Sequence, residues 1–115
     1  MLPGSMPYYG VTVTVPATSA TLISLIQAAI TATSNDSTVL GAVREMQLQA
    51  DSTNTSLVIL VGDSFVKLSP QRCAYGLIAT QTRLYRASAL DLVLMGRIYV
   101  VESTGAAKLN VELMS

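Results

Sequence analysis

The chain has 115 residues, of which half are hydrophobic and only 12% are charged, with seven basic residues, seven acidic residues and no histidine. This length corresponds to one domain, and the zero formal net charge argues against a nucleic-acid partner, which would require an excess of Lys and Arg. The charged fraction is about half that of a typical soluble protein, so we expect other protein chains to cover part of the surface. A compact monomer with a surface of Thr, Ser, Asn and Gln is the alternative.

The first seven residues, 1–7, hold two prolines and a glycine and predict an arm ahead of a single domain, 8–115. Arms of this kind often lie across a neighbouring subunit, so we expect this end of the chain to contribute to an interface. The residues expected there are Leu2, Pro3, Met6, Pro7 and Tyr8. The arm lacks the positive charge of a secretory signal, and residues 21–31 are too short for a membrane span. The pattern therefore predicts synthesis in the cytoplasm and no membrane partner.

Residues 9–15 alternate between apolar and polar side chains, which predicts a half-buried strand that ends at Pro16. After Pro16 the spacing of the apolar residues changes from that of a strand to that of a helix. Over residues 19–31 the apolar side chains fall on one side of a helical wheel, which predicts a short amphipathic helix near the N-terminus, capped by Thr18 or Ser19. The apolar stripe of this helix must pack on a sheet or on another subunit.

Residues 45–50 alternate again, and residues 51–56 consist of Asp, Ser, Thr and Asn, which are typical of turns. The continuous apolar run at residues 57–61 predicts a strand that is covered on both faces. Together these two runs predict a hairpin that ends at Gly62-Asp63.

The second half of the chain predicts further short strands and a turn in which Gly105 is free to adopt positive φ. The strand-like segments are residues 65–68, 75–80, 83–87, 97–101 and 108–113, the turn is at residues 103–106, and residues 90–95 fit either a strand or an apolar loop. Turns recur about every 8–12 residues, which is typical of a sandwich or barrel. The pattern thus predicts a mainly β chain that forms a single antiparallel β-sandwich with one short helix.

The sequence Gly62-Asp63-Ser64 resembles the nucleophile block of the GDS-type esterases and lipases. Such a serine needs a base, and in that family the base is a histidine. Because the chain has no histidine, we interpret Ser64 as part of a turn and expect no enzymatic activity.

Metal and cofactor sites are not indicated either. The seven acidic residues show no pair that stands out for catalysis, and we expect them to be solvated. A lone Cys73 and the lack of histidine leave no set of ligands at metal-binding spacing. We therefore expect Cys73 to be structural, and we expect no metal and no cofactor.

The charged residues are unevenly distributed along the chain. Residues 31–64 hold four acidic residues against Arg44, whereas a later stretch holds four arginines against Asp91. The arginines, which complete the predicted interface, are Arg72, Arg83, Arg86 and Arg97. The two stretches indicate either pairing between strands of one domain or a head-to-tail contact between subunits.

Four short stretches near the end of the chain carry a resemblance to a known class of protein. They are Leu90-Asp91-Leu92, Arg97-Ile98-Tyr99-Val100, Ser103-Thr104-Gly105 and Leu109-Asn110-Val111-Glu112. Their order is similar to the C-terminal strands of small phage and virus structural proteins, including head decoration proteins and related virion proteins of jelly-roll or β-sandwich type. The sequence departs from that pattern at residues 93–96, which separate the first stretch from the second.

The resemblance implies a jelly-roll-like β-sandwich that decorates or stabilises a capsid, made in the host cytoplasm and carried in the virion. It implies contacts with copies of itself, commonly as trimers, and with a major capsid protein. A tail or connector component is an alternative, as is a module that binds carbohydrate on a host surface. Such a module uses aromatic platforms, for which the chain offers no Trp, one Phe and five tyrosines. The tyrosines are Tyr8, Tyr9, Tyr75, Tyr85 and Tyr99.

Overall fold

The computed structural model describes residues 8–33, 43–87 and 95–114, so the predicted arm at residues 1–7 lies outside the described residues. Within these ranges the chain forms eight β-strands, one α-helix and one 3-10 turn. The strands are β1 (Tyr8–Val15), β2 (Ala20–Thr21), β3 (Glu45–Ala50), β4 (Ile59–Gly62), β5 (Tyr75–Leu77), β6 (Thr82–Arg86), β7 (Tyr99–Val101) and β8 (Ala107–Met114). The helix α1 spans Leu22–Thr33, and the 3-10 turn spans Met95–Arg97.

The strands form two four-stranded sheets in which every pair of neighbours is antiparallel. Sheet I has the order β1-β8-β3-β6, and sheet II has the order β2-β7-β4-β5. The prediction of a mainly β chain with one helix is therefore confirmed. No helix within the described ranges has the length and hydropathy needed to cross a membrane.

The two sheets and the helix share one hydrophobic core. In β8, Ala107, Leu109, Val111 and Leu113 are buried, whereas the side chains between them are exposed or half-buried. The alternation predicted for sheet I thus places one of its faces in the core, since successive side chains of a strand point to opposite faces. Sheet II and α1 supply buried partners that include Leu22, Ile26, Ile30, Ile59, Val61, Leu77 and Val100.

Strand β4 begins at Ile59, two residues later than predicted, and it is apolar on both faces, as its sequence predicts. Ile59 and Val61 lie in the shared core. Leu60, between them, points to the other side of sheet II and packs against Val66 and Val101 in a second cluster. Sheet II is therefore covered on both faces by residues of its own chain.

The loop between β4 and β5, residues 63–74, supplies this second cover, and we call it the covering loop. Its Val66 is buried against sheet II. The backbones of Lys67 and Arg72 exchange two hydrogen bonds of 3.0 Å, which close the loop on itself. The short strand predicted at residues 65–68 is therefore wrong, because this segment makes one isolated bridge and joins neither sheet.

The predicted hairpin of residues 45–50 and 57–61 is also wrong, because its two strands lie in different sheets. Strand β3 pairs with β6 and β8, whereas β4 pairs with β5 and β7. Between them the buried Asn54 side chain donates to the Lys108 carbonyl at 2.7 Å and accepts from the Lys108 N–H at 2.9 Å. These two bonds hold the connection against β8, so that the chain leaves sheet I before β4 begins.

The helix begins at Leu22, three residues later than its apolar stripe predicts. Ala20 and Thr21 form β2 and pair with β7, which delays the first helical turn. The hydroxyl of Thr21 accepts the backbone N–H of Ser24 at 3.4 Å. Thr21 therefore caps the helix instead of the two residues predicted to do so.

The later strands lie close to the predicted segments, but their bounds differ. Strand β5 ends at Leu77 rather than at residue 80, β6 lies one residue earlier than predicted, and β8 extends one residue further at each end. Strand β7 starts at Tyr99 rather than at residue 97, because Met95–Arg97 form the 3-10 turn. The predicted turn after β7 is present, and Gly105 has a φ of 70°. Residues 90–94, whose sequence fits either a strand or a loop, lie outside the described residues.

Candidate interaction surface

The arm residues Leu2, Pro3, Met6 and Pro7 precede the described part of the chain. Tyr8, the last residue predicted for this end of the interface, opens β1, and its backbone pairs with Met114 of β8. Since β1 is an edge strand of sheet I, the arm joins the domain at one edge of that sheet.

The predicted interface arginines do not form one patch. Arg72 lies on the covering loop, where its guanidinium is 5.0 Å from the centre of the Phe65 ring. Arg97 is exposed at the end of the 3-10 turn that precedes β7. The other two arginines lie on β6, in sheet I.

Arg83 and Arg86 share β6 and point to opposite faces of sheet I. Arg83 lies opposite Leu48, on the face that turns toward sheet II, whereas Arg86 lies opposite Glu45 on the outer face. The Nε atom of Arg86 is 3.2 Å from Oε1 of Glu45. For Arg86 and Glu45, the opposite charges are therefore paired between two strands of the same domain. The Arg86 side chain is 68% exposed and that of Glu45 is 38% exposed, so solvent screens the pair and it contributes no more than about 1 kcal/mol.

Tyr75 of β5 and Tyr85 of β6 join the two sheets along one side of the molecule. Their hydroxyl groups are hydrogen-bonded to each other, and the Arg83 guanidinium lies 4.8 Å from the centre of the Tyr75 ring. Burial raises the pKa of Tyr75, and the hydrogen bond with Tyr85 raises it further, so this hydroxyl stays protonated at neutral pH. Both half-buried tyrosines are thus engaged inside the chain and are poorly placed as platforms for a sugar.

Strand β6 forms the edge of sheet I beside these tyrosines. Within the described residues it has one neighbouring strand, β3. Most of its side chains are exposed, and Leu84 keeps 43% of its surface exposed on the outer face of the sheet. Leu84 is not among the interface residues that the sequence predicts. An apolar residue flanked by Arg83 and Tyr85 is the only local signal, and it does not show that the strand is an edge.

The outer face of sheet I carries polar and charged side chains that are hydrogen-bonded to one another. Thr12 donates to Asn110 at 2.8 Å, and Asn110 donates to Asp51 at 3.0 Å. The ammonium group of Lys108 donates to Thr14 at 2.7 Å. This face is therefore polar and combines charged groups with uncharged ones.

The sequence Gly62-Asp63-Ser64 forms a turn at the end of β4. The carboxylate of Asp63 accepts the backbone N–H of Phe65 at 2.8 Å, and the Asp63 carbonyl accepts that of Val66 at 3.0 Å. These bonds are those of an Asx turn, which is the role that the sequence predicts for this segment.

Cys73 is a free, half-buried cysteine of the covering loop that packs against the second cluster. Its sulfur accepts a long hydrogen bond of 3.9 Å from the Gln71 amide. These contacts agree with the structural role expected for this residue. Across the described ranges, His, Cys, Asp and Glu side chains form no group of three or more that could hold a metal ion.

Glu102 departs from the expectation that the acidic residues are solvated, because its exposed fraction is 0%. It precedes the turn between β7 and β8, and its carboxylate accepts the N–H of Thr104 at 2.8 Å and that of Ala107 at 3.2 Å. Burial alone would raise the pKa of Glu102, but hydrogen bonds from Thr104, Ser103 and Ala106 outweigh it and hold the pKa below its ordinary value. The signal in the sequence is an acid directly before Ser-Thr-Gly, a turn that offers N–H and O–H donors.

Comparison of the chain with protein-family models, with curated proteins and with solved structures gave no match.

Proposed function

We propose that this chain is a non-enzymatic structural protein of a virion, a jelly-roll β-sandwich that decorates or stabilises a capsid by binding copies of itself and the major shell protein. It is made in the host cytoplasm and becomes part of the particle. The observation that carries the proposal is the order in which the eight strands pair.

The pairing follows one rule from the ends of the chain to its middle. Strand β1 pairs with β8, β2 with β7, β3 with β6, and β4 with β5. A long antiparallel ribbon, folded at the β4–β5 connection and then rolled up, produces these pairs. Rolling also places β8 beside β3 and β7 beside β4, as found here. This order supports a jelly roll, which consists of eight strands in two sheets.

Jelly rolls occur in viral capsids, in lectins and in cupins. The composition favours the first of these, since the chain has no histidine for acid–base or metal chemistry and few charges. The lectin alternative loses support from Tyr75 and Tyr85, whose hydroxyls bond to each other across the two sheets. The resemblance of the C-terminal stretches to virion proteins points in the same direction.

The contacts to neighbours are assigned to the arm at residues 1–7 and to the edges of the sheets. An edge strand offers unpaired N–H and C=O groups to a second chain. Each contact can be weak, because attachment at two or three points raises the overall affinity far above that of one point. A trimer, which is common among decoration proteins, would provide three such points.

Co-expression with the shell protein of the same genome, followed by gradient purification of the shells, tests this function. We expect the full chain to sediment with the shells. A chain that lacks residues 1–7 should sediment with them less while keeping its circular dichroism spectrum. A full chain that stays at the top of the gradient would contradict the proposal, and a clear hit on a glycan array would favour the carbohydrate-binding alternative.

A further inference from the structure

Among the described residues no strand pairs with the side of β6 that faces away from β3, and this edge presents its backbone groups in a defined order. On the side of β3, the Gln81 carbonyl accepts the Ala50 N–H at 3.0 Å, and the Ala87 N–H donates to the Arg44 carbonyl at 2.9 Å. Alternate residues of a strand direct their N–H and C=O groups to the same side, so the residues between these two ends alternate as well. The backbone groups that point to the unpaired edge are those of Thr82, Leu84 and Arg86.

We propose that β6 pairs with β6 of a second copy of this chain, antiparallel and about a two-fold axis at Leu84. In this register Leu84 faces Leu84 of the partner subunit, and Thr82 faces Arg86 of the partner subunit. Every N–H and C=O group of these residues on the unpaired edge then has a hydrogen-bond partner. A shift by two residues would leave some of the groups unpaired.

The side chains fit the same register. On the outer face, the exposed Leu84 side chains form a cross-strand apolar pair, an arrangement that stabilises sheets. On the other face, Arg83 keeps its contact with Tyr75 of its own chain and lies opposite the uncharged Tyr85 of the partner subunit, so this pair carries no like-charge repulsion. No arginine of β6 directly faces another arginine. A shift of two residues in one direction would place two copies of Arg83 opposite each other.

The other edge strands are less suited to such pairing. Strand β2 has two residues and β5 has three, and short edges offer few hydrogen bonds. Strand β1 is longer, but α1 packs against it. The contact is isologous, since the same surface serves on both copies. The inference goes beyond the proposed function, because it names the surface and its partner. It requires only that copies of the chain associate, and it does not depend on a role in a virion.

Disulfide cross-linking tests the register, in a Cys73→Ser background that removes the native thiol. Residues opposite each other in a hydrogen-bonded pair have Cα atoms about 5.5 Å apart, within the range that a disulfide spans. Leu84→Cys should therefore form a covalent dimer under mild oxidation. Thr82→Cys should not, because two copies of residue 82 would lie about 13 Å apart, at about 3.3 Å per residue.

A mixture of the Thr82→Cys and Arg86→Cys chains completes the test, because this register brings these two positions together. We expect a mixed dimer from the mixture and none from either chain alone. The proposal is overturned if Leu84→Cys fails to cross-link in a chain that self-associates, or if Thr82→Cys cross-links equally well.

A Leu84→Pro chain gives a second readout. The Leu84 N–H points away from β3, so a proline there removes no hydrogen bond between the strands of the described residues, and edge strands tolerate proline on that side. We expect a chain that melts as a folded protein but whose dissociation constant rises at least tenfold. A folded Leu84→Pro chain with unchanged self-association would contradict the proposal, and if this variant unfolds, the cross-linking result decides.

The two proposals can fail separately. If chains sediment with shells but do not cross-link at residue 84, the proposed function is retained and the contact through β6 is excluded.

Discussion

Glu102 is an ionisable residue with no exposed surface, and the turn after β7 supplies the donors that keep it charged. Removing a carboxylate from water is costly unless hydrogen bonds replace the lost solvation. The backbone of Thr104 and Ala107 provides them, which requires the chain to reverse direction where Gly105 has positive φ. One side chain thereby fixes the connection between β7 of sheet II and β8 of sheet I.

Substitution of this carboxylate should weaken the fold. In Glu102→Gln, an amide N–H₂ replaces one acceptor, and on either side of the carboxylate it would face at least one backbone N–H, which can only donate. We expect a loss of about 1–3 kcal/mol in the free energy of unfolding, as for a buried polar group without its partner. Urea denaturation measures it, with Glu112→Gln on the outer face of sheet I as the matched control, for which we expect a change within about 0.5 kcal/mol. Equal losses in the two variants would contradict this role.

The same residue predicts how stability depends on pH. The pKa of Glu102 is lower in the folded chain than its ordinary value of 4.5. As the pH falls, the unfolded chain therefore binds this proton before the folded chain does. The contribution of Glu102 to the free energy of unfolding is present above pH 4.5 and is lost as the pH falls through the pKa of Glu102 in the folded chain.

We expect the stability difference between the wild type and Glu102→Gln to narrow below pH 4.5, the ordinary value for this group. The pKa of Asp51 is also lowered, by hydrogen bonds from Thr53 and Asn110, but Asp51 is present in both chains and its effect cancels. A difference that stays constant between neutral and acidic pH would show that the charge of Glu102 does not matter.

At the scale of elements, the apolar patterns predict which faces are buried and not which strands are neighbours. The alternation in residues 45–50 predicts the limits of β3. The apolar run at residues 57–61 predicts that β4 is buried on both of its faces. The wrong hairpin arises because proximity in sequence was the only available guide to pairing. The importance of Leu84 could not be predicted for the same reason, since a strand becomes an edge only through the order of the whole sheet.

The covering loop provides a test at this scale. Val66→Ala removes two methyl groups from the second cluster, at about 0.8 kcal/mol for each buried carbon, plus the cost of a small cavity. We expect a loss of about 1.5–2.5 kcal/mol. Val58→Ala is the same change at a site with 42% of its surface exposed and should cost about 0.5 kcal/mol. Thermal or urea unfolding compares them, and a loss at Val66 no larger than that at Val58 would show that the loop does not stabilise sheet II.

At the scale of the whole molecule, the high apolar content has two explanations that combine. Much of it is buried within the chain, because β4 and the covering loop add a second cluster to the shared core. Large apolar side chains that remain exposed in the described ranges include Phe65, Ile78 and Leu84. A surface with few charges lacks the repulsion that keeps copies apart. Strand β6 has an exposed leucine and, in the part of the chain that the structure describes, one edge without a neighbouring strand. These features support the proposal that the chain works by assembling with other chains.

Solution mass tests that proposal most directly. Size-exclusion chromatography with light scattering should be run on the full chain over a wide range of concentration, because association follows mass action. We expect the mass to rise with concentration to a multiple of the 12.1 kDa chain, and to do so less readily for Leu84→Pro. A single species of 12.1 kDa at the highest concentration reached would contradict the account.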